Sequence, residues 1–252
     1  MTTEKLGLSL QWQGAVIESF PSLADDELHI WWLPLKLDQA QSTVALNLLS
    51  DLQRDKYQRR AASKLKKNYL AGRYFLLHLL GAYTAQAPQQ IKLSYSRLNK
   101  PSLSDSSLEV EFNFTDTQGY GVFAFSKRRQ VGIDIESSSR KINFKGIADR
   151  RFTKQELDFV YQNAELNPQR CLSIWTRKEA YGKATGMGIN FQMNQRNLYQ
   201  ASTDNSYEYK FEDDNETKWR CLQLQLGDQF ISSVVHEGHQ QLKLKAFKSL
   251  KI

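Results

Sequence analysis

The sequence has few cysteines and no long apolar run, and both shortages restrict the class of protein. Cys171 and Cys221 are its only cysteines, too few and too far apart for a disulfide framework or a zinc site. No apolar run approaches the roughly 20 residues of a membrane-spanning helix. Residues 1–13 lack the basic start and apolar core of a secretory signal. We therefore expect a protein of the reducing cytoplasm that does not associate with membranes.

Short-period repeats and low-complexity segments are also missing, which excludes a solenoid. With 40% hydrophobic and 24% charged residues, the 252-residue chain has the composition of one large or two modest folded domains. Acidic residues are outnumbered by basic ones, 27 to 34, which leaves a net charge of +7. A positive field raises the local concentration of anionic ligands. The composition thus predicts an anionic partner, either nucleic acid, a phosphorylated cofactor or an acidic protein.

Hydrophobic periodicity predicts an α+β fold built from two similar halves. The first half has predicted strands at 29–35, 91–95, 111–114 and 120–126 and a long helical region at 44–83. The second half has predicted strands at 131–136, 207–211, 219–226 and 230–235 and helices at 154–162 and 171–185. We expect two pseudo-symmetric lobes, 1–127 and 128–252, each a small antiparallel sheet packed against helices. Lysines alternating with apolar residues at 242–246 predict an edge strand.

The long helical region combines an apolar stripe with many basic residues. The stripe comprises Leu65, Tyr69, Leu70, Phe75, Leu76, Leu79 and Leu80. The basic residues are Lys56, Arg59, Arg60, Lys64, Lys66, Lys67 and Arg73. Helical spacing predicts that the stripe is core. The basic residues either form a solvated face or bind phosphate.

Two separated segments carry the residues of a candidate active site. Along 131–136, aliphatic residues alternate with Gly132, Asp134 and Glu136, so a strand buries the aliphatics on one face and points both carboxylates from the other. Some forty residues later, Glu179 and Lys183 are four apart, on one face of a predicted helix. Alternatively, the two acids end an edge strand in solvent and Glu179 and Lys183 form an ordinary surface ion pair.

These residue types suit a magnesium ion that faces a phosphate. Mg²⁺ takes a few carboxylates, keeps waters and fills its remaining positions with phosphate oxygens. Asp134, Glu136 and Glu179 provide such carboxylates, and Lys183 and Lys178 offset phosphate charge in a transition state. The pattern predicts phosphoryl transfer.

Several ordered motifs resemble the larger, two-lobed 4′-phosphopantetheinyl transferases, the type that activates surfactin synthetase. The similarity covers about residues 28–190, and both of the family's hallmark motifs are intact. They are Gly132, Asp134 and Glu136 of its Gly-x-Asp-x-Glu strand, and Trp175, Thr176, Lys178, Glu179 and Lys183 of its Trp-Ser/Thr-x-Lys-Glu-x-x-x-Lys helix. Further similar segments are 99–101, 112–117, 151–156 and 186–188.

The resemblance implies a substrate, a cofactor and a partner. Coenzyme A would bind between the lobes with Mg²⁺ on its pyrophosphate. A serine hydroxyl of an apo acyl, polyketide or peptidyl carrier protein would attack the β-phosphorus, and adenosine 3′,5′-bisphosphate would leave. Neither nucleic acid nor a membrane is expected as a partner. Since two lobes complete the site within one chain, we expect a monomer.

The resemblance also implies residue roles. Asp134, Glu136 and Glu179 would bind the metal, and Asp134 would also contact coenzyme A. Glu179 would accept the serine proton, directly or through water. Coenzyme A phosphates would be bound by Lys183, Lys100, Thr115, Arg59, Arg60 and Arg73. Lys178 either binds a phosphate, which we favour, or orients Glu179.

One position departs from the family pattern. Asp116 stands where the family usually has a histidine that helps to hold the 3′-phosphate of coenzyme A. Because a carboxylate repels a phosphate, we expect Asp116 to point elsewhere and basic residues of the first lobe to make that contact.

Two other functions are compatible with the residues. A Mg²⁺-dependent nuclease also uses an acidic strand with a nearby Glu-Lys pair, and a basic chain suits DNA. A catalytically silent protein that docks an acidic partner on its basic helix would retain binding without Asp134 or Glu179.

Overall fold

The protein, seen in a computed structural model that describes residues 7–140, 142–162, 164–188, 191–199 and 207–252, has the predicted α+β fold. The α-helices of these ranges are α1 (Gln39–Leu48), α2 (Asp51–Gln58), α3 (Ser63–Thr84), α4 (Phe144–Arg151), α5 (Lys154–Val160) and α6 (Pro168–Thr185). The strands before residue 130 are β1 (Leu8–Ser9), β2 (Trp12–Val16), β3 (Glu27–Pro34), β4 (Leu93–Tyr95), β5 (Pro101–Leu103), β6 (Val110–Thr117) and β7 (Tyr120–Lys127). The later strands are β8 (Val131–Ser137), β9 (Tyr161–Gln162), β10 (Glu165–Leu166), β11 (Glu208–Glu212), β12 (Lys218–Gln225), β13 (Phe230–Glu237) and β14 (Lys243–Lys251).

The chain divides into two compact units whose membership differs from the predicted halves at both chain ends and at Ser96–Lys100. Unit 1 comprises Met1–Gln11, Ser96–Lys100 and Arg129–Leu242. Unit 2 comprises Trp12–Tyr95, Pro101–Arg128 and Lys243–Ile252. Strand pairing explains the difference at the two chain ends, because β1 pairs with β12 of unit 1 and β14 pairs with β2 and β3 of unit 2.

Unit 2 contains a five-stranded sheet in the order β2-β14-β3-β7-β6. β14 runs parallel to both of its neighbours, whereas β3, β7 and β6 pair antiparallel. The sheet is therefore mixed, and the prediction of an edge strand at the C-terminal tail is wrong. Lys243 forms an ion pair with Asp26 and Lys245 with Glu27, so these two lysines of the strand are used in ion pairs.

The predicted helical region at 44–83 is three helices. Capping boxes of Asp38 with Gln41 and of Ser50 with Gln53 begin α1 and α2, whereas α3 begins after Ala62 without a side-chain cap. The apolar stripe of α3 packs into the core of unit 2 together with aromatic residues of β3 and β7. Leu65, in the first turn of α3, is the exception, since it is 55% exposed.

Unit 1 is organised around the packing of α6 on an antiparallel core of β12, β13 and β8. β13 pairs with β8 so that Val235 lies opposite Gly132 and Ser233 opposite Asp134. Thr176 Oγ1 of α6 lies 2.8 Å from Ser233 Oγ. A Cβ atom at Gly132 would lie only 2.1 Å from the carbonyl oxygen of Ala180, so glycine permits the close approach of β8 and α6. β1 adds to β12 in parallel, which makes this sheet mixed as well.

Two shorter helices complete the described part of unit 1. α4 and α5 pack with the start of α6 around Ala148, Phe152, Val160 and Ile174. The sequence periodicity did not predict α4. No helix of the described residues is long and apolar enough to span a bilayer.

Candidate active site

The two carboxylates of β8 lie on the face of the strand that contacts α6. The predicted alternation is present, since Gly132 meets Ala180 and Asp134 meets Lys183, both on α6. Asp134 and Glu136 are nevertheless buried, because α6 and its side chains cover this face. β8 is an edge strand of the described sheet, as that alternative had it, but its two acids do not lie in solvent.

Lys183 pairs with a β8 carboxylate. Its Nζ lies 2.6 Å from Asp134 Oδ1 and also donates to the carbonyl of Ile133 at 3.3 Å. The Lys183 side chain is 28% exposed, so the protein covers it only in part. The lysine therefore offsets the charge of Asp134 at a partly exposed position.

Glu136 is held by two donors. Trp175 Nε1 donates to Glu136 Oε1 at 3.2 Å, and Arg140 Nη1 donates to the same oxygen in an ion pair. Burial and the Asp134 charge raise the pKa of Glu136, while Arg140, Trp175 and Lys183 oppose that shift. The indole of the hallmark tryptophan thus has a specific polar contact in this site.

Glu179 is electrostatically coupled to both β8 carboxylates. Burial and the charge of Asp134 raise the pKa of Glu179 to about 7, with Glu136 adding to the shift and Lys183 and Arg140 opposing it. A carboxyl group with a pKa near neutrality exchanges protons readily at physiological pH. Its environment therefore suits a proton acceptor.

The donor chemistry of these three carboxylates fits a hard divalent cation, but their present placement is not a coordination sphere. No group of three or more His, Cys, Asp or Glu side chains within the described ranges is arranged to hold a metal ion. Two of the three carboxylates instead contact cations of the chain, Asp134 with Lys183 and Glu136 with Arg140. All three provide oxygen ligands, and their mutual repulsion favours a cation between them.

Lys178 occupies a different place from the expected phosphate contact. Its ammonium is 2.8 Å from Glu156 Oε2 and donates to the carbonyls of Met193 and Arg196 at 2.6 and 2.7 Å. The side chain is 1% exposed, and burial lowers its pKa while Glu156 opposes that shift. Lys178 therefore does not make the predicted phosphate contact, because all three donor positions of its ammonium are used inside the protein.

Lys100 lies at the C-terminal end of α6. Its Nζ donates to the carbonyl of Ala184 at 2.6 Å and to Gln130 Oε1. Gly186, in the left-handed conformation with a φ of 71°, ends the helix beside the Lys100 chain. A cation is favoured at a helix C-terminus, so this contact positions Lys100 one turn beyond Lys183.

The basic candidates of unit 2 cluster around Tyr69. The Arg60 guanidinium lies 4.0 Å from the ring centroid of Tyr69, and the Arg73 guanidinium lies 5.1 Å from it. Arg73 Nε and Nη1 are buried without a hydrogen-bond partner in the described part of the chain. Arg59 caps the end of α2 and is exposed. Buried guanidinium donors without acceptors are costly, so Arg73 is suited to receive an anion.

Thr115 and Asp116 lie near the end of β6. Thr115 pairs with Val122 of β7 and is half-buried, whereas Asp116 pairs with Gly121 and is exposed. The orientation expected for Asp116 remains a prediction.

A cavity of about 610 Å³ lies in unit 1 beside another part of α6. Its lining includes Tyr181, Met193, Arg196, Phe211 and Asp213, and none of the predicted site residues. Two residues advance a helix by about 200°, so Tyr181 projects from the side of α6 opposite Lys183. The candidate site is thus defined by the contacts between α6 and β8 and not by this cavity.

Sequence reasoning missed two partners of the site. Glu156, which pairs with Lys178, belongs to a Thr153-to-Glu156 capping box whose spacing is readable from the sequence. Arg140 follows Glu136 by four residues, but in a turn, where no periodicity indicates a contact. The assembled site, with three coupled carboxylates and a partly exposed lysine, is suited to the transfer of a phosphate-linked group.

Comparison with known proteins identifies the family. The sequence profile of the 4′-phosphopantetheinyl transferase superfamily matches residues 130–235, which include β8 and α6. The chain is 32% identical over 171 residues to the 4′-phosphopantetheinyl transferase HetI of Nostoc, covering 67% of this chain and 72% of that one. A putative 4′-phosphopantetheinyl transferase of Synechocystis is 30% identical over 169 residues, or 66% and 68% of the two chains. The mouse L-aminoadipate-semialdehyde dehydrogenase-phosphopantetheinyl transferase is 27% identical over 173 residues, or 64% and 55%.

The chain belongs to the 4′-phosphopantetheinyl transferase superfamily. It is therefore an enzyme that transfers the phosphopantetheine group of coenzyme A to apo carrier proteins. This membership confirms the predicted family, while its larger, two-lobed type stays a prediction, and it favours the transferase over the nuclease and the silent docking protein.

Proposed function

We propose that the chain performs this transfer with Mg²⁺ held by Asp134, Glu136 and Glu179. The observation that carries the proposal is the electrostatic coupling of the three carboxylates at the contact of β8 with α6. When bound, Mg²⁺ would neutralise charge on the pyrophosphate of coenzyme A. The proposal includes a magnesium requirement, which the carboxylate chemistry supports.

Glu179 is the proposed acceptor of the serine proton. The carrier serine Oγ attacks the β-phosphorus, and its proton passes to Glu179 directly or through a water molecule. The bond from that phosphorus to the oxygen of the adenosine-bearing phosphate breaks, and adenosine 3′,5′-bisphosphate leaves. The pKa of Glu179, about 7, supports this role in the cation-free protein, whereas a nearby divalent cation lowers it and favours the route through water.

Lys183 and Asp134 are the other proposed catalytic residues. The partly exposed Lys183 side chain offsets negative charge that develops on the phosphate oxygens, and in the cation-free protein Asp134 fixes its position through the 2.6 Å ion pair. In this proposal Asp134 also borders the bound coenzyme A.

Lys100, Thr115, Arg59, Arg60 and Arg73 are the proposed contacts for the phosphates of coenzyme A. Arg73 has the strongest support, because two of its buried nitrogens have no acceptor among the described residues. Arg60 stacks on the same tyrosine, so the two guanidinium groups share one aromatic platform. Lys178 is removed from this set because of its pairing with Glu156.

The proposed partner is an acidic apo acyl, polyketide or peptidyl carrier protein. A net charge of +7 would raise its rate of encounter more than its final affinity. We propose that the enzyme works as a cytoplasmic monomer, with neither nucleic acid nor a membrane as partner. Both thiols are buried with raised pKa values, which suits a reducing compartment.

Intact-mass spectrometry of an apo carrier protein tests the proposal. With coenzyme A and Mg²⁺, we expect the carrier to gain the mass of one phosphopantetheine, and the gain to disappear with EDTA. Glu179→Gln should lower the rate by about 10² or more, as loss of a proton acceptor does. Glu165→Gln, the same change at an exposed residue, should be as active as the wild type.

The outcomes separate the parts of the proposal. Transfer that persists in EDTA would contradict the magnesium requirement, and full activity of Glu179→Gln would contradict its role. If fatty-acid, polyketide and peptidyl carriers all gain no mass while DNA is cleaved, the nuclease hypothesis would replace the transferase.

A further inference from the structure

The turn after β8 is folded back tightly on the strand. The Arg140 amide donates to the Ser137 carbonyl at 3.0 Å, and the Ser139 amide donates to Ser137 Oγ at 3.3 Å. Ser138 anchors the turn to unit 1 by donating from its amide and hydroxyl to the Gln229 carbonyl at 2.8 and 3.1 Å. These hydrogen bonds reverse the chain direction after β8, and the Arg140 side chain can therefore contact Glu136.

Arg140 and Lys183 each supply a positive charge to one β8 carboxylate, but in different settings. Lys183 is part of α6, and its side chain is 28% exposed. Arg140 lies on a turn and is 42% exposed, while the Glu136 side chain that it contacts is 10% exposed. The pair is exposed only on its arginine side, where the guanidinium already lies partly in water on a turn, whereas the Lys183 ammonium is held on a helix. Of the two cations, Arg140 is therefore the easier to displace.

Glu136 keeps a second donor if Arg140 leaves. Trp175 Nε1 lies 3.2 Å from Glu136 Oε1 and comes from α6, so it holds the carboxylate oriented without adding charge. A guanidinium and a divalent cation on one carboxylate repel each other strongly at such short range. The indole can remain during cation binding, whereas the arginine cannot remain without a cost.

We propose that Arg140 is a displaceable counter-ion. It pairs with Glu136 in the cation-free protein and is released when Mg²⁺ binds. Its presence therefore lowers the affinity of the site for the metal. The proposal rests on the proposed role of Asp134, Glu136 and Glu179 as magnesium ligands. It accounts for the pairing of Arg140 with a carboxylate whose chemistry fits the ion.

Direct binding of Mn²⁺, measured by electron paramagnetic resonance without coenzyme A, tests the proposal. Mn²⁺ replaces Mg²⁺ as a probe because both favour oxygen ligands. Arg140→Gln should bind Mn²⁺ roughly fivefold more tightly than the wild type, the factor expected when an ion pair with one exposed partner no longer has to be broken. Lys145→Gln removes the same charge from an exposed pair with Asp149 in unit 1, and its affinity should stay within about twofold of the wild type.

Three results would overturn the proposal. Weaker binding by Arg140→Gln would make Arg140 a residue that positions Glu136 for the metal. An unchanged affinity would show that the ion pair does not compete, and an equal gain in both variants would show a general effect of net charge.

A second measurement separates this proposal from the proposed function. Asp134→Asn should abolish Mn²⁺ binding if the carboxylates are the ligands. If the wild type binds no Mn²⁺ but Arg140→Gln does, the counter-ion proposal is supported; if neither binds, both it and the metal site fail. The mass gain of the carrier measures the transfer itself. If the carrier gains mass but Arg140 and Mn²⁺ do not compete for Glu136, the counter-ion proposal fails and the proposed function stands.

Thermal unfolding gives a readout that does not depend on activity. In EDTA, Arg140→Gln should have a lower Tm than the wild type, because Asp134, Glu136 and Glu179 then repel each other with one cation fewer. Saturating Mn²⁺ should raise the Tm of this variant more than that of the wild type or of Lys145→Gln. An equal rise in all three proteins would contradict the displacement of Arg140.

Discussion

Lys178 precedes Glu179 in the chain yet faces the interior of unit 1. Its ion pair with Glu156 is almost completely buried, with side chains 1% and 0% exposed. Glu156 also accepts from the amides of Thr153 and Leu198, both at 2.7 Å. The pair therefore joins α5, α6 and the segment 193–198, and it positions the helix that carries Glu179 without touching a substrate.

Lys178→Met should lower the free energy of unfolding by about 3–5 kcal/mol, because it leaves the buried Glu156 carboxylate unpaired. Lys145→Met breaks an exposed pair with Asp149 and should leave the free energy of unfolding nearly unchanged. Urea unfolding of both variants measures the difference. Equal, small losses in the two variants would show that Glu156 finds another partner and that the pair is not structurally essential.

At the scale of elements, the site depends on how closely β8 and α6 approach. Gly132 lies against the backbone of α6, where an added Cβ would be 2.1 Å from the Ala180 carbonyl oxygen and 2.3 Å from the Ala184 amide nitrogen. Backbone atoms cannot rotate aside as a side chain does. A larger residue here must separate the strand that carries Asp134 from the helix that carries Lys183.

Gly132→Ala should therefore reduce the transfer rate by up to about 10², the effect of a displacement near 1 Å, and destabilise the protein by about 1–3 kcal/mol. Gly14→Ala is the matched control, since its Cβ would meet only the Ser249 hydroxyl, which can rotate aside. Carrier mass gain and urea unfolding measure both effects. A Gly132→Ala enzyme as active as Gly14→Ala would show that the contact does not set the site geometry.

At the scale of the whole molecule, each unit contains a buried histidine that folding keeps neutral. Burial lowers the pKa of His29 in unit 2 to about 4, and that of His236 in unit 1 to about 4. His29 Nε2 lies 3.0 Å from Glu27, and its Nδ1 lies 2.7 Å from the Tyr83 hydroxyl. Because the ionised Glu27 carboxylate can only accept, the neutral His29 carries its proton on Nε2, and Tyr83, which accepts from Trp31, donates to Nδ1.

The sign of the pH dependence follows from these pKa values. Between pH 6.5 and about 4 the unfolded chain binds protons at both histidines and the folded protein does not, so stability falls as the pH falls. Each histidine accounts for about 3 kcal/mol over this range. Glu179, with its pKa raised to about 7, acts in the opposite direction, since its contribution to stability is lost as the pH rises from 4.5 to 7.

His29→Gln should therefore flatten the rise of stability between pH 4 and 6.5 relative to the wild type, and His236→Gln should do the same. Urea unfolding in EDTA at a series of pH values measures the slopes. A profile parallel to that of the wild type would show that the substituted histidine is not held neutral in the folded protein. Glu179→Gln should change the slope in the opposite sense.

The sequence by itself determined the features that depend on local spacing. Alternation in β8 placed Asp134 and Glu136 on one face, and the four-residue spacing in α6 placed Glu179 and Lys183 on one side of a helix. Periodicity and motifs also indicated the α+β class and the family, because side-chain direction repeats every 2 or 3.6 residues whatever the element packs against.

Only the tertiary structure decided which groups meet across long stretches of chain. It paired Lys178 with Glu156 rather than with a phosphate, placed β14 between β2 and β3 rather than at an edge, and covered the β8 carboxylates with α6. It also brought Arg140 into contact with Glu136 through a turn, where side-chain direction follows no regular period. These contacts follow from the packing and pairing of elements far apart in sequence, and a local pattern specifies which face is buried but not what buries it.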